Sequence, residues 1–135
     1  MPHAANTSPR GYAPFLANYY DYPTWRNVLD YGARNDGSGD QTAAIQRALD
    51  DDGQNGSREH RGVTSRPAHV FLPGGTYTLG SKLKLRIGTI IMGDPQNPPI
   101  LRASASFQGD TMIQGSDGKD DVFTTSCNCS LTIFR

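Results

Sequence analysis

The stretch NVLDYGARNDGSGDQTAAIQRAL, from Asn27 to Leu49, decides how the rest of the chain is read. Val28 and Tyr31 flank Asp30 in a strand-like piece, and Gly32, Gly37 and Gly39 then allow the backbone angles of a tight reversal. A helix over 41–52 follows, because Ala44, Ile45, Ala48 and Leu49 recur on one face. Asp40 or Ser38 stands where a cap is needed, the latter with Gln41 three residues on, and Gly53 is a natural stop. Strand, turn and helix make one unit that opens onto something larger.

Working outward, the apolar period changes from helical to strand-like after a polar loop at 53–67. Val70-Phe71-Leu72 ends at Pro73-Gly74-Gly75, which suits a type II turn with proline first and glycine second. Tyr77-Thr78-Leu79, Lys82 to Leu85, Thr89 to Met92, Ile100 to Arg102 and Met112-Ile113 read as further short strands, with no helix between them. Val70, Ile91 and Met112 stand 21 residues apart, and Leu79 and Leu101 stand 22 apart. A chain that winds through several short strands per turn repeats at about this spacing, so the pattern favours a parallel β-helix over an antiparallel sandwich. The helix over 41–52 then caps the open end and covers strand edges that invite unwanted pairing.

Composition narrows the function classes. A chain of 135 residues allows one modest domain. Lys+Arg and Asp+Glu are both 13, so there is no basic excess for nucleic acid or an acidic membrane surface. No apolar run approaches the roughly 20 residues of a membrane helix, and the start MPHAANTSPRGYAPF lacks the basic and apolar regions of a signal peptide. Residues 1–24 read as an irregular arm, whose Tyr19, Tyr20 and Tyr22 pack on the body together with Trp25 rather than forming a sugar-stacking platform.

Chemistry-bearing clusters are few. Cys127 and Cys129 have no distant cysteine to pair with, and His3, His60 and His69 lack ligand spacing, so no metal site and no cofactor are expected. Asp36, Ser38 and Asp40 alternate as in a calcium loop, but Gln41 and Arg47 stand where that loop needs glycine and glutamate. Asp30, Asp36 and Asp40 are therefore read as turn-forming and helix-capping groups. No phosphate loop follows the glycines either. Asn6, Asn55 and Asn128 lie in N-x-S sequons, which are compatible with secretion.

The run Val28 to Ala33, then Asp36-Gly37, then Asp40 to Ile45, resembles the N-terminal signature of the pectate-lyase-like β-helix superfamily, and Val70 to Tyr77 resembles its next element. Thr24 to Val28, Gly93 to Leu101 and Ala103 to Phe107 resemble, more narrowly, glycoside hydrolase family 55, the exo-β-1,3-glucanases. Asn35 and Gln41 depart from the superfamily signature, and the 53–67 loop lacks the cysteines that family members often carry. The resemblance implies a mainly β fold: an N-terminal cap helix and the first coils of a right-handed parallel β-helix, incomplete, over residues 25–115, with a divergent tail at 116–135. It implies a monomer, located outside the cell, that acts on polysaccharide.

Glycoside hydrolysis needs a carboxylic acid, usually with a second carboxylate about 5 to 10 Å away. The family's acid lies in a second domain, and the single glutamate here, Glu59, matches no family motif. No catalytic, cofactor-binding or metal-binding residue is carried over. Two functions are expected: an N-terminal fragment of a polysaccharide-active protein whose parent activity is hydrolysis of β-1,3-glucan, or a non-catalytic β-helix module that binds glycan or serves structure. A pectate-lyase-like or rhamnogalacturonase-like member is the variant of the second.

Overall fold

The computed structural model describes residues 22–53, 58, 67–86 and 88–115, together with the backbone of 130–132. In chain order they form β1 (Trp25–Asn27), a 3-10 turn (Val28–Tyr31), α1 (Thr42–Asp50), β2 (Ala68–Leu72), β3 (Gly75–Leu85), β4 (Thr89–Gly93), β5 (Pro99–Gly115) and β6 (Ser130–Thr132). One sheet has the order β1-β2-β4-β6 and the other pairs β3 with β5. Every ladder is parallel. The chain alternates between the sheets as it advances, and each strand stacks on the one a turn earlier. This is the mainly β, coiled architecture expected from the sequence, with one helix beside its first coil.

Alternation along the strands builds the core. Ala68, Val70 and Leu72 of β2, Leu79, Leu83 and Leu85 of β3, and Ile91 of β4 point inward and are buried. They meet the apolar face of α1, where Ile45, Ala48 and Leu49 are also buried. Each large aliphatic side chain so placed contributes about 1.5 to 3 kcal/mol relative to exposure. The helix is thus held by packing, since a helix of 9 residues has little stability of its own.

The two sheets differ in regularity. Val70 pairs with Ile91, so the 21-residue step seen in the sequence is a true coil in the first sheet. Met112 does not continue it, because Met112 belongs to β5 in the other sheet and Ile91 pairs next with Leu131. In the second sheet Leu79 pairs with Ala103 rather than Leu101, and the ladder shifts twice, to Ser81 with Gln108 and to Leu83 with Ile113. The residues that follow Ala103 therefore bulge out of the coil, and Gly109 adopts φ 142° there.

Other local expectations are corrected. The piece around Asp30 is a 3-10 turn rather than strand, because the Asn27 side chain accepts the Leu29 N–H and Gly32 closes the turn at φ 88°. Lys82 to Leu85 continue β3 without a break after Leu79. At Pro73-Gly74-Gly75 the positive φ falls on Gly75, at 131°, so the type II turn does not form. Both glycines are needed by stacking instead: a Cβ at Gly74 would strike Asn97 and one at Gly75 would strike Asn35.

Candidate functional site

The polar residues of the opening segment converge on α1, and the two ends of that helix are built differently. At its N-terminal end the segment from Asn35 to Gln46 runs along the outer edge of β3. Backbone groups cover the first part of that edge. Thr76 N–H donates to the Asn35 carbonyl, Gly37 N–H donates to the Thr76 carbonyl, and Gln41 N–H donates to the Thr78 carbonyl. Side chains take over where the helix turns away. Asp40 Oδ1 accepts the Gly80 N–H at 2.9 Å, Thr42 Oγ1 accepts the Ser81 N–H at 3.3 Å, and Gln46 brackets Lys84. There Gln46 Oε1 accepts from Lys84 N–H and Gln46 Nε2 donates to the Lys84 carbonyl, each at 2.9 Å.

Asp40 has a second task as helix cap. Its Oδ1 accepts the Thr42 N–H at 2.9 Å and the Thr42 hydroxyl at 2.6 Å. These bonds favour the ionised carboxylate and hold it below the usual range. Asp36 is held low in the same way, by the Ser38 hydroxyl and the Ser38 N–H. Ser38 is thereby spent on Asp36 and does not cap α1, while Gln41 donates to the Ser38 carbonyl and accepts the Arg34 N–H. The capping-box alternative thus gives way to Asp40. Asp30 is exposed in the 3-10 turn.

At the C-terminal end the orphan carbonyls of α1 are taken by arginines. Arg26 is buried, and its guanidinium donates to the carbonyls of Ala48 at 2.7 Å, Asp51 at 2.5 Å and Pro23 at 2.7 Å. Its cation lies over the Tyr22 ring, 5.3 Å from the centroid. Arg58 is also buried, donating to the Leu49 carbonyl at 2.7 Å and to the Thr89 hydroxyl at 3.0 Å. Burial pushes its guanidinium down to about 10, with Tyr22 and Asp50 opposing the shift and Arg26 adding to it. Cations at this end complement the helix dipole as well as its free carbonyls. Arg86 pairs with Asp50 at 2.9 Å, and Tyr31 donates to Asp51 Oδ2 at 2.6 Å, which with burial pushes the phenol above its ordinary value.

Beyond α1, Trp25 of β1 packs beside His69 and stacks with Phe71 on the outer face of the first sheet, with ring centroids 6.1 Å apart in each pair. Tyr22 is buried and donates to the Pro67 carbonyl, as packing rather than sugar stacking requires. Arg102 lies on the outside of β5 and donates to the Gly37 carbonyl and the Thr78 hydroxyl. Among the described residues no group of three or more His, Cys, Asp or Glu side chains gathers as metal ligands. Glu59, His3, His60, Cys127, Cys129, Tyr19, Tyr20 and the three sequons lie outside the described residues.

The arginines are what sequence reasoning missed. Arg26 had a signal, since Trp25 and Asn27 alternate with it and it occupies the inward position of β1. Arg58 had none, standing in a polar loop without period.

The geometry describes a capped first coil, and comparison with known proteins agrees. A model of the family described as rhamnogalacturonase A/epimerase, pectate lyase-like, matches residues 25–133. A glucan endo-1,3-β-glucosidase of Trichoderma harzianum is 42% identical over 111 residues, which is 82% of this chain and 13% of that protein. A glucan 1,3-β-glucosidase of Cochliobolus carbonum is 38% identical over 81% of this chain and 14% of its own length. A non-secreted LysM effector of Penicillium expansum is 39% identical over 85% of this chain and 8% of its own length. Among solved structures, the A-module of the mannuronan C-5 epimerase of Azotobacter vinelandii aligns with a TM-score of 0.44 and 25% identity over 58% of this chain and 20% of the module. The chain therefore spans about an eighth of the length of the glucanases it matches, and it belongs to the rhamnogalacturonase A/epimerase, pectate lyase-like family.

Proposed function

We propose that this chain supplies the capped opening coils of a β-helix whose parent activity is hydrolysis of β-1,3-glucan, and that its own role is scaffolding rather than catalysis. The observation that carries the reading is the 42% identity to a glucan endo-1,3-β-glucosidase across most of this chain. The chemistry of the described carboxylates supports it. Asp36 and Asp40 are held ionised by hydrogen bonds, Asp50 is tied to Arg86, and Asp51 accepts from Tyr31. A general acid must instead hold a proton near neutral pH, which takes a raised carboxyl. The partner is a β-glucan, met outside the cell because a polymer of that size does not cross a membrane, and the capped chain is a monomer. The test is reducing-sugar release from laminarin by the purified 135-residue chain. No release above buffer is expected, and turnover that scales with chain concentration would overturn the scaffold reading.

A second reading has its own observation. A LysM effector shares the segment at 39% identity, so the same coils occur in a protein whose name is not that of a glucanase. Under that reading the capped coils are a structural module independent of hydrolysis. Retention of the chain on insoluble β-glucan without sugar release favours the first ancestry, and absence of retention favours the second.

A further inference from the structure

We propose that Asp40, Thr42 and Gln46 act together as a surrogate strand, and that they keep the outer edge of β3 from pairing with β5 of a second copy of this chain. Three observations carry the inference. First, the side chains sit where a parallel strand's peptide groups would sit. Gln46 presents one acceptor and one donor to Lys84, both at 2.9 Å, which is the pattern of a neighbouring peptide. Asp40 and Thr42 accept from Gly80 and Ser81 ahead of it. Further upstream the same edge is closed by main chain, ending in a parallel bridge between Asp36 and Thr76. The edge is thus saturated from Thr76 to Lys84 by a segment of which only the first part is strand-like.

Second, the copy offers a matching partner. β3 already pairs in parallel with β5 on its other edge, and among the described residues β5 has no second strand neighbour. The far edge of β5 in one copy therefore has the same strand sense as the covered edge of β3 in the next. Such a contact is head to tail and does not close on itself, so it would propagate. Third, the formal net charge is zero, and no long-range repulsion keeps copies apart. The protection rests on three short side chains. An edge strand left open in this setting is a template for strand addition.

The test is sedimentation velocity on the 135-residue chain and its variants across a concentration series. Thr42→Val with Gln46→Ala removes the surrogate groups while leaving the apolar face of α1 in place. The concentration at half-association is expected to fall by about tenfold or more, the equivalent of one or two peptide groups offered to a partner. Gln46→Ala alone opens only the Lys84 peptide and is expected to shift it in the same direction by less, so the comparison survives if the double variant does not fold. Adding Lys84→Pro to either variant removes the N–H that the edge would offer, and association is expected to return towards that of the unsubstituted chain. Association driven by unfolding would instead grow with the added proline. Unchanged association in Gln46→Ala, or association that Lys84→Pro leaves in place or increases, overturns the proposal.

Discussion

The two ends of α1 do the same job with opposite chemistry. At the N-terminal end, short side chains on an exposed turn, Asp40 and Thr42, satisfy free N–H groups of the helix and of β3. At the C-terminal end, the long side chains of Arg26 and Arg58 reach in from elsewhere and are wholly buried against the last carbonyls. The first arrangement is local, solvated and tied to a carboxylate that titrates. The second is distant in sequence, dry, and made mostly to main-chain carbonyls that do not. Burial makes the second both stronger and less forgiving, because a buried acceptor left without a donor costs its full desolvation.

That contrast orders the expected effects of substitution. Arg26→Met removes three donors at once and leaves the Ala48 carbonyl buried, while keeping much of the side-chain volume. A loss of about 3 kcal/mol is expected in urea unfolding, followed by the fluorescence of Trp25, the single tryptophan and the immediate neighbour of the substituted position. Gly80→Ala attacks the other end from the strand side, since its Cβ would meet the Asp40 carboxylate. The carboxylate must shift away from the Gly80 N–H and from Thr42, and a loss of about 2 kcal/mol is expected in the same assay. Asp40→Ala leaves the strand in place and removes only the cap, for about 1 kcal/mol at neutral pH. A larger loss for Asp40→Ala than for Arg26→Met would reverse the order and with it the contrast between a dry end and a wet one.

Much of the N-terminal end was legible in the sequence, because caps act over two or three residues and the residue types announce themselves. Asp40 before an apolar-periodic run is such a signal, and so is the glycine-rich turn ahead of it. The stacking step was legible only where the coil is regular. Val70 and Ile91 are true partners, but the bulges after Ala103 add residues to β5 without changing its apolar character, so counting misplaced Met112 and Leu101. Gly74 and Gly75 were legible as a turn, yet their reason lies in the neighbouring corners at Asn35 and Asn97, which only stacking brings together. The arginine clamp was the least legible feature. Arg58 reaches the helix end from a loop, and nothing local distinguishes a charge that will be buried from one that stays in water. The family signature located the cap, while the physics of what holds it became visible only in three dimensions.

The titratable carboxylate gives the sharpest discrimination. Asp40 is held below its unfolded value of about 3.9, so the stability it contributes is present above that pH and is lost as the pH falls through the lower, folded value. The main-chain acceptors of Arg26 have no such dependence. Urea unfolding of the unsubstituted chain, Asp40→Ala and Arg26→Met should therefore be compared at pH 7 and again at about pH 3 or below. The deficit of Asp40→Ala is predicted to narrow towards the acid end while that of Arg26→Met persists. If the Asp40→Ala deficit stays constant, or the Arg26→Met deficit is the one that disappears, the division of the cap into a solvated acidic end and a buried cationic end is wrong.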